Sequence, residues 1–328
     1  MIVVVATEDD LTAQAVVAAL AKLGRKDVFC LDLETAFENV SVHFSADATG
    51  IRWSIQSKSD ASLRIDQQNI SAVYWRRPLK LLGSPFLGIP TSGNLDALET
   101  FWSVRWMLET LPRMLFPLNH PLILSRSENK HRQLALALEV GFTIPDTCHS
   151  NDAATLQEFV ARQTSVALKA MRMPAVSSAG GVEDARHIAC KSFSPEFLAA
   201  RLQAVEKTQL YCQQAIQRSK DLRIMVFPHQ VIAVEIDTSK LADNKLDWRE
   251  HSLELTHRIV PIAPAFEQQL RQFLTLMDIT AGYFDFAAPD EGPPVFFECN
   301  TNAGWVWIEH LTGYPIAETI ARELMLQG

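Results

Sequence analysis

Gly282-Tyr-Phe-Asp-Phe-Ala-Ala288 and Val295-Phe-Phe-Glu-Cys-Asn-Thr-Asn302 flank a short turn running from Pro289 to Pro294. Both are apolar runs of strand length, and the Pro/Gly turn between them reads as that of an antiparallel hairpin. With the turn centred near Glu291 and Gly292, Asp285 falls opposite Glu298, and directly opposed residues share a face. Asn300, two residues beyond Glu298, shares it too. Two carboxylates aimed into one space repel unless a cation or proton joins them. Oxygen donors select a hard cation, Mg²⁺ rather than Zn²⁺. Phe284, Phe286 and Phe297 would bury the opposite face, which also fits polar residues that merely face solvent, whereas Phe296 shares the face of Glu298 and does not fit it. The competing reading makes the polar residues solvent-facing, without partners.

Working outward, residues 209–216, 222–227 and 230–237 read as strands of one antiparallel sheet. Pro264 opens a helix over 265–277, because proline suits a helix start, and 315–326 reads as the last helix. Trp305 and Trp307 read as packing that positions Asn300 and Asn302. At the other end of the chain, 2–6 is a continuous apolar run, as in a strand covered on both faces. A helix over 12–23 follows, with Val16, Leu20 and Leu23 at helical spacing and Gly24 as its stop. Then come a strand at 28–31, a hairpin from 41–44 and 51–55, a strand at 72–75 and an amphipathic helix over 96–111. This order favours an open α/β domain of about 115 residues. Prolines at 112, 117 and 121 mark a boundary. Beyond it lie a helix from 127 to 140, an extended stretch at 144–147, and a helix to 163 capped by Asn151 or Asp152. A strand at 166–171, a loop or hairpin around Gly180 and Gly181, and a helix over 195–206 complete the middle.

The charged residues within these elements suggest a polyphosphate site. Lys130 lies early in a helix, and Lys169 ends an apolar strand, where a lysine is costly unless its ammonium meets an anion or reaches water. Either could be simply solvated, but two lysines beside a Mg²⁺ site suit a polyphosphate. Gly180-Gly181 could lay backbone N–H groups on phosphates, and equally could be a plain turn. Asp221 and Arg223 alternate with apolar residues and so face one side of a strand. Arg76 and Arg77 at a strand end, and Arg249 in Asp247-Trp-Arg249, add fixed cations for carboxylates or acyl phosphates.

Other functions are disfavoured. Net charge is −8, from 30 Lys and Arg against 38 Asp and Glu, which argues against broad nucleic-acid binding. Neither the phosphate loop GxxxxGK[ST] nor the dinucleotide fingerprint GxGxxG occurs. The longest uncharged run, 81–95, is broken by three Gly and two Pro and is too short for a bilayer. The first residues read as a core strand rather than a signal peptide. Five scattered cysteines with no CxxC suit reduced thiols in the cytoplasm.

Taken in order, these features resemble the ATP-grasp ligase superfamily over residues 119–325. They are a helix lysine before Gly141-Phe-Thr-Ile-Pro-Asp-Thr147, a strand lysine, a glycine loop, a hinge from Gln213 to Ile216, Asp221-Leu-Arg223, then Asp285 and Glu298-Cys-Asn300. Tyr74-Trp-Arg-Arg-Pro78, Asp247-Trp-Arg249 and Glu298-Cys-Asn-Thr-Asn-Ala-Gly-Trp-Val-Trp-Ile-Glu309 are similar, more narrowly, to the graspetide synthetases, the microviridin-type peptide macrocyclases. At the hinge this chain has Gln213-Gln214 where many relatives have Gln-Glu.

The resemblance implies an α/β (α+β) ATP-grasp fold, with a pre-ATP-grasp domain at 1–117, a central lid domain at 118–210 and a C-terminal domain at 211–328. It implies ATP and Mg²⁺ as cofactors. A precursor peptide with a leader and an acid-rich core would be the partner, its leader read by the variable stretch 172–210, and the enzyme would be a cytoplasmic homodimer. A side-chain carboxylate of the peptide becomes an acyl phosphate, and a hydroxyl or amine of the same peptide closes an ω-ester or ω-amide ring. Lys130, Lys169, Gly180 and Gly181 would hold phosphates. Gln213, Gln214 and Ile216 would hold adenine, largely by backbone, and Asp221 the ribose. Asp285, Glu298 and Asn300 would bind Mg²⁺. Arg223, with Lys169, would be catalytic, and Arg76, Arg77 and Arg249 would position the peptide. The alternatives are a ligase adding a free amino acid to a carboxylate, and a non-enzymatic peptide-binding relic of the fold.

Overall fold

The first apolar run becomes β1 (Ile2–Val5), and the reason it is unbroken is that its two faces enter different cores. After it come α1 (Leu11–Lys22), β2 (Val28–Leu31), α2 (Ala36–Asn39), β3 (Val40–Asp47), β4 (Gly50–Ser57), β5 (Arg64–Asp66), β6 (Ala72–Trp75) and α3 (Leu95–Glu109). β1 lies between β2 and β6 in a parallel sheet, and β3, β4 and β5 form an antiparallel one. Val3, Val5, Val73 and Trp75 pack on Phe101, Val104 and Leu108 of α3. Ile2, Val4 and Tyr74 pack instead with α1 and with residues from the far end of the chain. Asp10 caps α1, its carboxylate accepting from the N–H groups of Thr12 and Ala13. The computed structural model describes residues 1–76, 95–171, 175–177, 185–187, 190–202, 209–241 and 254–326.

The middle of the chain holds α4 (Pro121–Ser127), α5 (Lys130–Glu139), β7 (Thr147–Ser150), α6 (Ala153–Ala161), β8 (Val166–Lys169), β9 (Ala175–Ser177), β10 (Ala185–His187), β11 (Lys191–Phe193), α7 (Pro195–Ala199) and β12 (Leu210–Gln214). The helix expected over 127–140 is α5, starting three residues later than expected, and α4 is a separate helix before it. Pro121 opens α4, and Asn129 caps α5 by accepting from the Arg132 N–H, so Lys130 is the first residue of α5. Asp152 caps α6. β9 and β10 pair antiparallel. β12 does not join the C-terminal sheet as expected: it pairs with β7 and β8 in a four-stranded sheet of order β11-β8-β12-β7. The chain crosses to the next sheet just after it.

That next sheet is built from β13 (Lys220–Val226), β14 (Val231–Asp237), β15 (Thr256–Val260), and, after α8 (Pro264–Met277), β16 (Gly282–Ala288) and β17 (Val295–Asn300), with α9 (Val306–Thr312) and α10 (Ile316–Met325) following. Its order is β15-β14-β13-β16-β17, antiparallel throughout. One face packs Ile224, Phe284, Phe286 and Phe296 on Phe142 and on Leu270 and Phe273 of α8. The other packs Met225, Val234 and Ile236 with Trp305, Ile320 and Leu324 and with β1. Trp305 is the residue before α9, so the two tryptophans lie at a helix start and not along a strand. Gly282 is required by contact, since a Cβ there would stand 2.7 Å from both Cys299 Sγ and a Leu274 methyl.

The expected register holds at its centre, with Asp285 opposite Glu298, but Phe286 then faces Phe296. Phe297 is thus the extra residue of a β-bulge. The bulge reverses the expected aromatic faces. Phe296 enters the core with Phe284 and Phe286, and Phe297 is half-buried under two cations.

Candidate active site

β13, β16 and β17 present Arg223, Asp285, Glu298 and Asn300 on one sheet face. Arg223 Nη1 donates to both carboxylate oxygens of Asp285, at 2.7 Å each, and both side chains are about 5% exposed. Buried charges of this kind persist because they are paired and hydrogen-bonded. Glu298 accepts from Lys130 Nζ at 2.7 Å on one oxygen and from Asn300 Nδ2 at 3.1 Å on the other. The Asn129 cap that starts α5 therefore delivers Lys130 onto the hairpin. Burial, with the Glu298 charge adding to it, pushes the nearby Tyr211 phenol up to about 12. Burial first, and Asp285 next, push the Cys299 thiol upward as well, leaving it an inert packing group.

Lys169, at the end of β8, lies with Nζ 4.3 Å from the centre of the Phe297 ring, and the Arg218 guanidinium lies 5.6 Å from the same ring. The bulge that displaces Phe297 thus creates an aromatic surface lined by cations. Arg218 also forms a two-pronged pair with buried Asp221, at 2.7 and 3.0 Å, so the partner of Asp221 is three residues upstream. At the hinge, the Gln213 side chain is buried and donates to Thr147 Oγ1 and Tyr211 Oη. Gln214, Ala215 and Ile216 line a cleft of about 410 Å³ together with Thr143, Ile144 and Val295. Its lining carries no lysine or arginine among the described residues.

Arg76 is placed differently from the expectation. It is 2% exposed, and its guanidinium meets Asn302 O at 2.6 Å, the Asn302 side chain, Thr12 Oγ1 and Asp10. Asn302 Nδ2 donates back to Arg76 O at 2.8 Å. Arg76 is therefore an interlock between β6 and the loop after β17, not a group open to a peptide. Arg77, Gly180, Gly181 and Arg249 lie outside the described residues. Arg218 and Phe297 escaped the sequence reading. Arg218 stands three residues before Asp221 and could have been found from that spacing, whereas Phe297 depends on the bulge and carries no local signal.

No protein-family model matches the sequence, and neither does any curated protein. Solved structures do match over the full chain. A RiPP-associated ATP-grasp ligase from Chryseobacterium gregarium, in complex with ADP and a leader and core peptide, has a TM-score of 0.83 at 20% identity, covering 100% of this chain and 97% of its own. A macrocyclase from Microcystis aeruginosa bound with its precursor peptide has a TM-score of 0.79 at 20% identity, covering 100% and 99%. An ATP-grasp ligase complexed with a minimal precursor, Mg and ADP has a TM-score of 0.72 at 21% identity, covering 99% and 97%. The chain has the ATP-grasp fold along its whole length. Among the described residues no helix is long and apolar enough to cross a membrane.

Proposed function

We propose that this protein is an ATP-dependent ligase that closes ω-ester or ω-amide rings within a precursor peptide. The observation that carries the reading is the face shared by Arg223, Asp285, Glu298 and Asn300 with Lys130 Nζ on Glu298, set in a fold whose solved examples hold ADP and peptide. ATP and Mg²⁺ are the cofactors of the proposal. The donor set suits the metal: two carboxylates and an amide oxygen, hard oxygen donors all three. Mg²⁺ held there would neutralise phosphate charge.

Lys130 and Lys169 would bind phosphates, with Gly180 and Gly181 supplying backbone donors. The backbone of residues 213–216, Gln214 and Ile216 included, would border adenine, and the ribose would lie toward Asp221 and Arg218. Arg223 would stabilise charge on the acyl phosphate and on the tetrahedral species, as a fixed donor where charge develops. Its Nε is buried without a hydrogen-bond partner among the described residues, which suits a donor reserved for a substrate oxygen. Arg77 and Arg249 are the proposed peptide contacts. The proposal includes a leader and an acid-rich core in the peptide, division of the chain at about residues 117 and 210, and a cytoplasmic homodimer.

The test is incubation with ATP, Mg²⁺ and a candidate precursor. Each ring should remove one water from the peptide mass, with ADP and phosphate released. A peptide that gains the mass of an amino acid would instead indicate ligation to a free amine.

A further inference from the structure

β17 is an edge strand, so backbone groups on its outer side have no neighbouring strand. Two segments replace that strand. Thr143 O accepts from the Phe296 N–H at 2.8 Å. Farther along, Gln133 covers Cys299 with both ends of its side-chain amide. Oε1 accepts from the Cys299 N–H at 2.9 Å, and Nε2 donates to Cys299 O at 2.9 Å and to Ser127 O at 2.7 Å. Gln133 is 4% exposed and Cys299 2%. The amide orientation is set by the network, because only nitrogen can donate to the two carbonyls and only oxygen can accept from the N–H.

Cys299 sits between Glu298 and Asn300, so pinning its peptide groups fixes the rotation of the strand about its own axis. Turning Glu298 or Asn300 off the shared face would break both bonds to Cys299 and leave buried polar groups unpaired. Gln133 also lies one helical turn after Lys130 on α5. The helix thus grips β17 twice, by ammonium on the Glu298 carboxylate and by amide on the adjacent backbone.

We propose that Gln133 is a positioning residue for the Mg²⁺ ligands, holding Glu298 and Asn300 aimed at the metal through the Cys299 backbone. This rests on the ATP- and Mg²⁺-dependent activity proposed for the site. Partners that orient metal ligands are worth about 10- to 100-fold in metal affinity.

The experiment is calorimetric titration of ADP, with and without Mg²⁺, into the full chain and into Gln133→Met, which keeps the shape and removes all three hydrogen bonds. Wild type should bind ADP more tightly with Mg²⁺. In Gln133→Met that Mg²⁺-dependent gain should shrink by about tenfold or more while Mg²⁺-free affinity stays unchanged. A gain retained in full would overturn the assignment, and so would an equal loss with and without Mg²⁺, which marks a merely structural role. Should Gln133→Met not fold, Gln133→Glu carries the test. It keeps the acceptor for the Cys299 N–H but sets a carboxyl oxygen against two carbonyls, and the gain should again fall, a full gain overturning the assignment. Wild type that binds ADP indifferently to Mg²⁺ would overturn the ligase reading and this assignment with it.

Discussion

Arg223 holds Asp285 through one nitrogen, with Nη1 2.7 Å from both carboxylate oxygens, while its own buried Nε meets no acceptor among the described residues. A lysine can satisfy the carboxylate but cannot supply a second directed donor. Arg223→Lys should therefore leave ADP affinity near wild type and lower the rate of ring closure by about 100-fold or more, the worth of one donor to developing charge. Steady-state kinetics checks it, and an unchanged kcat would remove Arg223 from the chemistry.

Lys130 and Glu298 are each about one-fifth exposed, and without the ammonium Glu298 still reaches water and keeps the Asn300 donor, so loss of the pair leaves no stranded charge. Lys130→Met should shift the unfolding free energy by less than about 1 kcal/mol. Nucleotide affinity should fall about tenfold or more, as expected when a charged hydrogen bond to a phosphate is lost. Denaturant melts and calorimetry separate the two effects. A large loss of stability with intact binding would make Lys130 a structural residue.

For Arg76 the expectation is the reverse. Its guanidinium joins Asp10, Thr12 and the loop at Asn302 in a buried cluster. Arg76→Met should cost about 3 kcal/mol, because breaking a buried pair removes the charge opposite Asp10 and leaves only its helix-cap hydrogen bonds. KM for the peptide should not move in the folded fraction. A raised KM with normal stability would return Arg76 to the peptide site.

Acid should weaken the fold through three histidines. Burial lowers the affinity of His120, His149 and His257 for protons, with the His131 charge adding to the effect at His149. The unfolded chain binds these protons near the ordinary histidine value of about 6.5, so their contribution is present above that pH and is lost as pH falls through the lower folded values. Tm should drop between about pH 7.5 and pH 5.5, and His257→Gln should flatten part of that drop. An identical pH profile in the variant would show that His257 takes no part.

How far the sequence alone could be read depended on the range of the interaction. The Asp285–Glu298 juxtaposition, the strand at Ile2–Val5 and the cap at Asp152 follow from period-two alternation, an unbroken apolar run and short-range capping chemistry. Each needs only a few neighbouring residues. The start of α5 after Asn129 rests on a cap of the same short range, and the polar stretch from 125 to 133 gives no apolar period there to mark it.

The remainder was decided between segments far apart in the chain. β12 pairs with β7 and β8, both distant from it in sequence, and nothing within residues 210–214 names that sheet over the next one. Phe297 left the core because Phe296 filled the space against Phe142 and Phe273. Arg76 turned inward because Asp10 and Asn302, from opposite ends of the chain, converge on it. The sequence by itself determined which side chains carry charge and how a hairpin would align them. Tertiary structure decided which of those charges are spent on the fold and which face the site, because burial and pairing depend on what the rest of the chain brings alongside.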